Sequence, residues 1–156
     1  MSDYNYMERS MTEYDYEKVH ALWMSIHHFG IRSIDDGKEA ISRFIRRNPG
    51  ISVVAESGST IVGSILCGHD GRTGCFYHVC VRDDMRRRGI GSAMVKRCLD
   101  ALRGEKISKI SLFAFTDNEL GNGFWKRLGF VRRDDMYNYE WAINENNITT
   151  IVESDS

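Results

Sequence analysis

Apolar residues in the first third of the chain recur at the spacing of amphipathic helices. One stripe runs from residue 14 to about residue 25 and consists of Tyr16, Val19, Leu22, Trp23 and Ile26. It predicts a helix over 14–25, with Thr12 as a candidate N-cap. A strand is predicted before it, over 4–11. A second helix is predicted over 35–47, because Asn48-Pro49-Gly50 ends it.

From residue 51 onward, short β-branched and aromatic runs alternate with helical stripes. Strands are predicted over residues 51–56, 60–68, 75–81, 109–115, 130–132 and 136–143, and helices over residues 91–102 and 118–128. A strand, a helix and a second strand in succession form a crossover, so strands 75–81 and 109–115 are expected to be parallel neighbours. The polar residues 144–156 are expected to form a loose tail.

The composition indicates a single domain. The chain has 156 residues, of which 42% are hydrophobic, so it can bury one core but is too short for two ordinary domains. We therefore treat residues 1–156 as one domain with a core over 5–143. A net charge of −1 provides no positive field for a polyanion, which argues against nucleic acid as the main ligand.

Several further classes of protein are excluded by simple patterns. No apolar run reaches the roughly 20 residues of a membrane span, and the polar N-terminus lacks the core of a signal peptide. We therefore expect a cytoplasmic protein with no membrane partner. The cysteines form no Cys-x-x-Cys pair, so we expect reduced cysteines and no metal site.

The stretch from Val79 to Val95 joins a predicted strand to a predicted helix through Arg86-Arg87-Arg88-Gly89-Ile90-Gly91. A helix start presents unpaired N–H groups and a partial positive charge, so it favours phosphate oxygens. Gly89 and Gly91 have no Cβ to hinder an anion and can adopt positive φ, while the three arginines add charge. The pattern lacks the spacing of a Rossmann or a Walker loop.

A second motif occupies residues 117–130, where Asn118 precedes a predicted helix that ends in Leu128-Gly129-Phe130. Taken alone, this block is a capped helix that ends at a glycine. Taken with the Arg-x-x-Gly-x-Gly turn after a strand ending in valine, it resembles the GNAT N-acetyltransferase superfamily. The two motifs occur in the order that this family shows, and the resemblance covers about residues 5–143.

The resemblance implies an α/β (α+β) fold with a mixed, mostly antiparallel twisted sheet of about seven strands and about four flanking helices. A central parallel pair would be splayed at the cofactor site. Acetyl-CoA would lie with its pyrophosphate on the glycine turn and its pantetheine arm along the preceding strand, as an added strand would. The cofactor-binding residues implied are Val79, Val81, Arg86, Arg87, Arg88, Gly89, Ile90, Gly91, Ser92, Asn118, Trp125 and Lys126.

The catalytic groups are less clearly marked. A backbone amide, that of Cys80 or Val79, would stabilise the charge that develops on the thioester oxygen. The candidate bases for the acceptor amine are, in order, His78 and Tyr77, followed by His27, His28 or a bound water. A histidine that only packs within the sheet is the alternative interpretation of His78.

Two positions depart from the family pattern. Trp125 occupies the place where many members have a tyrosine that protonates the leaving thiolate. Phe113 occupies the place where members that acetylate ribosomal proteins have a glutamate base, which argues against that substrate. Tyr137 and Tyr139 are candidates to replace the missing acid.

The sequence therefore predicts an N-acetyltransferase that transfers an acetyl group from acetyl-CoA to a primary amine of a small molecule or peptide. Transfer would occur by direct attack in a ternary complex. The alternative is a catalytically weak acyl-CoA sensor or interaction module on the same fold, which Trp125 and Phe113 favour. Residues 27–33 form either a specificity loop or a solvated loop, and the chain could form a homodimer.

Overall fold

The computed structural model describes residues 5–153, which form seven strands and four α-helices. In chain order, the elements are β1 (Met7–Ser10), α1 (Tyr16–Met24), β2 (Gly30–Arg32), α2 (Lys38–Arg47), β3 (Val53–Ser57), β4 (Thr60–His69), β5 (Gly74–Val81), α3 (Ile90–Gly104), β6 (Ile110–Ser111), α4 (Glu119–Leu128) and β7 (Thr149–Ile151). Single turns of 3-10 helix precede α1 and α3. The predicted fold class is confirmed.

Five strands form one sheet in the order β1-β3-β4-β5-β6, and every neighbouring pair is antiparallel except β5 with β6. One face is covered by α3, whose buried residues are Ile90, Met94, Val95, Cys98 and Leu102. The opposite face is covered by α1 and α2, whose buried residues include Val19, Leu22, Trp23, Ile41 and Ile45. Because helices cover both faces, β4 is buried along most of its length. Within residues 5–153, no helix combines the length and apolar character needed to cross a bilayer.

The strand β5 separates from β6 after two residue pairs, Gly74 with Ile110 and Cys75 with Ser111. Beyond them, no strand of the described chain pairs with that side of β5. The strand also contains a bulge, since Tyr77 pairs with Leu66 and Cys80 with Ser64. The predicted parallel pairing is confirmed, and its early end leaves an open cleft beside the second half of β5.

The predicted strands over 130–132 and 136–143 are wrong, and the predicted strand over 109–115 shortens to β6. The apolar members of the alternating segment are almost fully exposed, at 89% for Tyr137 and Tyr139, 88% for Trp141 and 97% for Ile143. A strand forms where the edge of a neighbouring strand offers hydrogen-bond partners to its backbone. Because β6 ends at Ser111, this segment pairs with no strand among the described residues.

The predictions for residues 27–33 and 144–156 also require correction, because each range contains a short strand. These strands, β2 and β7, pair antiparallel with Gly30 opposite Ile151. Asn147 strengthens the junction by accepting the backbone N–H groups of Ile34 and Asp35. Pairing between segments so distant in the chain has no periodic signature. Residue 4 of the predicted first strand and residues 154–156 of the predicted tail lie outside the described residues.

Candidate active site

The turn between β5 and α3 leaves backbone N–H groups unpaired. Gly89 is the N-cap of α3, with the left-handed angles φ +80° and ψ 6°, and no side chain caps the helix. The N–H of Ala93 bonds to the Gly89 carbonyl, so the N–H groups of residues 90–92 precede the first internal bond of the helix. A Cβ at Gly89 would meet no atom within 4 Å, so the space there is open. Such an arrangement suits the oxygens of a phosphate.

The three arginines of this turn differ in their surroundings. Arg86 donates from Nε to the Val81 carbonyl at 3.1 Å and forms an ion pair of 2.9 Å with Asp83, so it holds the turn against the end of β5. Arg88 donates from Nη1 to the sulfur of Met85 at 3.2 Å. Arg87 has φ +64° and is exposed. Arg87 is therefore the arginine best placed to reach an added anion.

Gly91 does not have the positive φ that the sequence allows for it. It lies within the first turn of α3. A Cβ at Gly91 would come within 3.2 Å of Phe124 Cζ in α4. The missing side chain therefore allows α3 and α4 to approach, and Gly89 alone of these two glycines supplies the left-handed conformation.

A cavity of about 460 Å³ lies where β5 and β6 diverge, and its walls include Phe44 of α2, Tyr77 of β5 and Phe113 beyond β6. The chain beyond β6 also passes beside β2, since a Cβ at Gly30 would lie 3.9 Å from the Phe115 ring. The cavity is therefore bordered by β5 and by residues 111–113, and the chain that continues from them reaches Phe115 beside β2. Part of the candidate specificity loop thus lies near this end of the cleft.

The His78 side chain lies at the bulge of β5, on the face covered by α1. Its ring centroid is 4.7 Å from that of Trp23 and 4.8 Å from that of Phe29, and its φ is +51°. Its Nε2 lies 2.7 Å from Oδ1 of Asp36, a residue that is 5% exposed. His78 therefore has a buried carboxylate as its partner.

Sequence reasoning missed Asp36. The predicted helix over 35–47 included this residue in its first turn, where an acidic side chain is common. The structure begins α2 at Lys38 and leaves Asp36 in the connection after β2. The contact spans 42 positions in the chain, so no local pattern could have shown it.

Tyr77 and Cys80 lie on either side of the bulge. Tyr77 is 51% exposed, and burial of its phenol, followed by the nearby Cys75, raises its pKa, so it stays protonated at neutral pH and suits an acid better than a base. Burial raises the pKa of the Cys80 thiol to about 12. The Cys80 side chain is therefore a poor nucleophile, which leaves its backbone as the candidate group.

The helix α4 contains the remaining predicted cofactor contacts. Asn118 caps the helix, with Oδ1 accepting a backbone N–H of the first turn at 3.0 Å. The Trp125 ring packs among aromatic residues, with centroids 4.9 Å from both Phe124 and Phe130. Lys126 is exposed. The Asn118 oxygen and the Trp125 ring are thus engaged within the fold, whereas the Lys126 ammonium faces solvent.

The other candidates lie in exposed segments. The rings of His27 and His28 are 3.9 Å apart, and both residues are exposed. Tyr137 and Tyr139 are 89% exposed, so no packing holds either phenol at the cleft. Within residues 5–153, no cluster of three or more His, Cys, Asp or Glu side chains could hold a metal ion.

Comparison with known proteins identifies relatives that share this arrangement of elements. The family model described as "Acetyltransferase (GNAT) family" matches residues 13–130. An acetyltransferase of Yersinia pestis (strain Pestoides F) is 31% identical over 122 residues, which cover 78% of this chain and 85% of the relative.

Solved structures share the fold. The PaiA N-acetyltransferase of Thermoplasma acidophilum, solved with coenzyme A, matches with a TM-score of 0.71 at 14% identity, over 96% of this chain and 99% of that one. The aminoglycoside N-acetyltransferase AAC(6')-Iy, also solved with coenzyme A, matches with a TM-score of 0.68 at 15% identity, over 88% of this chain and 95% of that one. At these identities, the likeness concerns the fold alone.

Proposed function

Because the chain belongs to the GNAT family of acetyltransferases and is an acyltransferase, we propose that it transfers an acetyl group from acetyl-CoA to a primary amine of a small molecule or peptide. One observation carries the proposal: the uncapped N-terminus of α3, with Gly89 at φ +80°, adjoins the strand whose side towards β6 is open. Acetyl-CoA carries a diphosphate and an arm with amide groups, and binding both requires these two features side by side.

The residues of the turn would bind the diphosphate, and those of β5 would bind the arm. The N–H groups of residues 90–92 would donate to phosphate oxygens, while Arg87 and Lys126 would add charge from exposed positions. Val79 to Val81 would pair with the amides of the arm as an edge strand pairs with an added strand. Besides donating its N–H group, Gly91 would contribute by setting the contact between α3 and α4.

Transfer requires a neutral amine. A lysine-like amine with a pKa of about 10.4 costs roughly 4.6 kcal/mol to deprotonate at pH 7, whereas an α-amine at about 7.8 costs roughly 1.1 kcal/mol. A base therefore matters most for the first kind of acceptor, and His78 is our candidate because of its position at the bulge. The backbone N–H of Val79 or Cys80 would stabilise the charge on the thioester oxygen.

The reaction is a direct displacement. A bond forms between the amine nitrogen and the acyl carbon, the carbon–sulfur bond breaks, and coenzyme A leaves as a thiolate. A thiol of ordinary pKa, about 8.5, is a tolerable leaving group, so a dedicated acid is not essential. Trp125 offers no hydroxyl, and the phenol of Tyr77, which lines the cavity beside β5, is a candidate donor.

Thiol release with a panel of amines tests the proposal. The panel should contain polyamines, aminoglycosides and peptides with free N-termini. We expect release above the acetyl-CoA hydrolysis background with at least one class. Coenzyme A binding without release for every class would instead support the acyl-CoA sensor, which the missing tyrosine at position 125 favours.

We further propose that the chain forms a homodimer through residues 136–143. Their alternating apolar side chains are exposed, and the outer side of β6 is an unpaired edge among the described residues. Adding this segment to the edge of a second copy would satisfy both surfaces. Light scattering should give a mass twice that of the monomer, and Trp141→Glu should reduce this mass to that of one chain. Tyr14→Glu, at a site that is equally exposed, should remain dimeric. A monomeric parent protein would contradict this proposal.

A further inference from the structure

The carboxylate of Asp36 is fixed in place by contacts on both of its oxygens. Oδ2 accepts the backbone N–H of Arg32 at 2.6 Å, and Oδ1 lies 2.7 Å from Nε2 of His78. The backbone carbonyl of the same residue accepts the Tyr16 hydroxyl at 2.8 Å. The carboxylate therefore approaches His78 from a rigid junction of β2 and α1 and has little freedom to move away.

This contact determines which ring nitrogen of His78 is free. A carboxylate oxygen accepts hydrogen bonds, so the nitrogen facing Asp36 is the one that holds the proton of the neutral ring. Nδ1 is then the nitrogen with the lone pair. The Trp23 and Phe29 rings, with centroids 4.7 and 4.8 Å from that of His78, pack against the imidazole and restrict its rotation.

The free nitrogen is also accessible. The His78 side chain makes no other hydrogen bond among the described residues and is 19% exposed, and no side-chain nitrogen or oxygen there is both buried and without a partner. Nδ1 of His78 must therefore reach solvent. Of the five histidines, His69 also faces a carboxylate, that of Glu105 at 3.3 Å, but Glu105 is 46% exposed and far less constrained than Asp36.

The bulge at His78 is a suitable place for an acceptor amine. His78 is part of the bulge that follows the separation of β5 from β6, and it lies on the face opposite α3. A thioester reaching through the cleft from the N-terminus of α3 would present its carbonyl carbon beside this bulge. An amine approaching from the α1 side would reach this bulge on the face where the His78 ring lies.

We propose that Asp36 is a positioning residue that holds His78 in the tautomer whose Nδ1 takes a proton from the acceptor amine. This inference rests on the proposed function, to which it adds Asp36 as a second residue beside His78. The amine N–H proton moves to Nδ1 as the carbon–nitrogen bond forms and the carbon–sulfur bond breaks. The imidazolium that results is stabilised by Asp36 through Nε2–H, and it later gives the proton to water or to the departing thiolate.

Few other titratable groups near Asp36 and His78 could account for the same effect on catalysis. Titratable and charged neighbours on the elements packed around His78 include Tyr16 and His20 of α1, Arg32 of β2, and Tyr77 and Cys80 of β5. Burial raises the pKa of the Tyr16 phenol and of the Cys80 thiol, so neither titrates near neutral pH. The His20 ring faces Trp23 at 6.3 Å, and His20→Gln therefore serves as the control for loss of a nearby imidazole.

The first test reads the tautomer directly and needs no acceptor. Nitrogen NMR of protein labelled at histidine, recorded above the titration range of imidazole, distinguishes the protonated ring nitrogen from the unprotonated one. We expect His78 to be protonated on Nε2 in the parent protein. An Asp36→Asn side chain can donate to Nε2, so this variant should shift the proton to Nδ1. Asp35→Asn, at the exposed neighbouring acid, should leave the tautomer unchanged.

The second test measures catalysis with the amine that gives the fastest thiol release. Asp36→Asn should lower kcat by roughly 100-fold or more, the usual contribution of a positioned base, while coenzyme A affinity stays constant. In His78→Gln the ascending limb of the pH profile of kcat/KM should reflect ionisation of the acceptor amine alone, whereas Asp35→Asn and His20→Gln should keep the parent profile. Adding Asp36→Asn to His78→Gln should cause no further loss, because one residue acts through the other.

The outcomes separate this inference from the proposed function. Absence of release by the parent protein with every amine overturns the proposed function, and the proton transfer proposed here with it. Normal release that Asp36→Asn leaves intact, or a His78 protonated on Nδ1 in the parent protein, overturns the inference alone. Should Asp36→Asn unfold, the parent tautomer and the pH profile of His78→Gln still decide the matter.

Discussion

Gly89→Asp is the substitution that most sharply tests the phosphate turn, because the structure separates its effects on folding and on binding. A side chain at this position meets no atom within 4 Å, so no steric clash is introduced. The φ of +80° is left-handed and costs an ordinary residue roughly 1–2 kcal/mol, with aspartate among the residues that tolerate it best. We therefore expect a folded protein with a modestly lower free energy of unfolding.

The effect on binding should be much larger. A carboxylate at position 89 would adjoin a diphosphate bound to the N–H groups of residues 90–92. Two unit charges about 5 Å apart repel by about 3 kcal/mol at an effective dielectric constant near 20. This repulsion corresponds to a loss of affinity of roughly 100-fold or more.

Calorimetric titration with coenzyme A measures the loss, and thermal unfolding checks the fold. Gly104→Asp is the matched control, since it makes the same change at the other end of α3, in open space and without a positive φ. It should bind coenzyme A as the parent protein does. A folded Gly89→Asp protein with parent affinity would refute the reasoning.

Three further predictions follow from packing and burial. Trp125→Tyr should lower the free energy of unfolding by about 1–2 kcal/mol, because the Trp125 ring packs against Phe130. It should not accelerate thiol release; faster release would mean that a missing acid limits the rate. Gly91→Ala should cost about 1–3 kcal/mol in chemical denaturation, because its Cβ would press on Phe124; an unchanged midpoint would contradict that contact. The Cys80 thiol, with its pKa raised to about 12, should resist alkylation at pH 8 until the protein unfolds, as mass spectrometry can establish; rapid modification of the folded protein would disprove its burial.

The parts of the site that depend on neighbouring residues could be predicted from the sequence. Gly89 and the start of α3 lie within one short stretch, so the pattern of residues specifies the turn almost alone. The same holds for the capped end of α4 at Asn118, whose side chain bonds to its own first turn. Gly91 shows the limit of such reasoning, since its neighbour Phe124 belongs to another helix.

The parts that depend on distant pairing could not be predicted. The contact of Asp36 with His78 and the pairing of β2 with β7 join segments far apart in the chain, and neither leaves a periodic trace. Residues 136–143 illustrate the opposite error. Their alternation is typical of a strand, but alternation describes only the faces of a segment and does not supply the neighbouring edge that a strand needs.

The central claim is that the N-terminus of α3 and the open side of β5 together bind coenzyme A. Titration of nitrogen-labelled protein with coenzyme A, followed through its backbone amide resonances, measures this most directly. We predict that the amides of residues 79–81 and 89–92 shift most, whereas those of β1 and β7 stay in place. Shifts confined to other surfaces, with residues 89–92 unperturbed at saturation, would contradict the account.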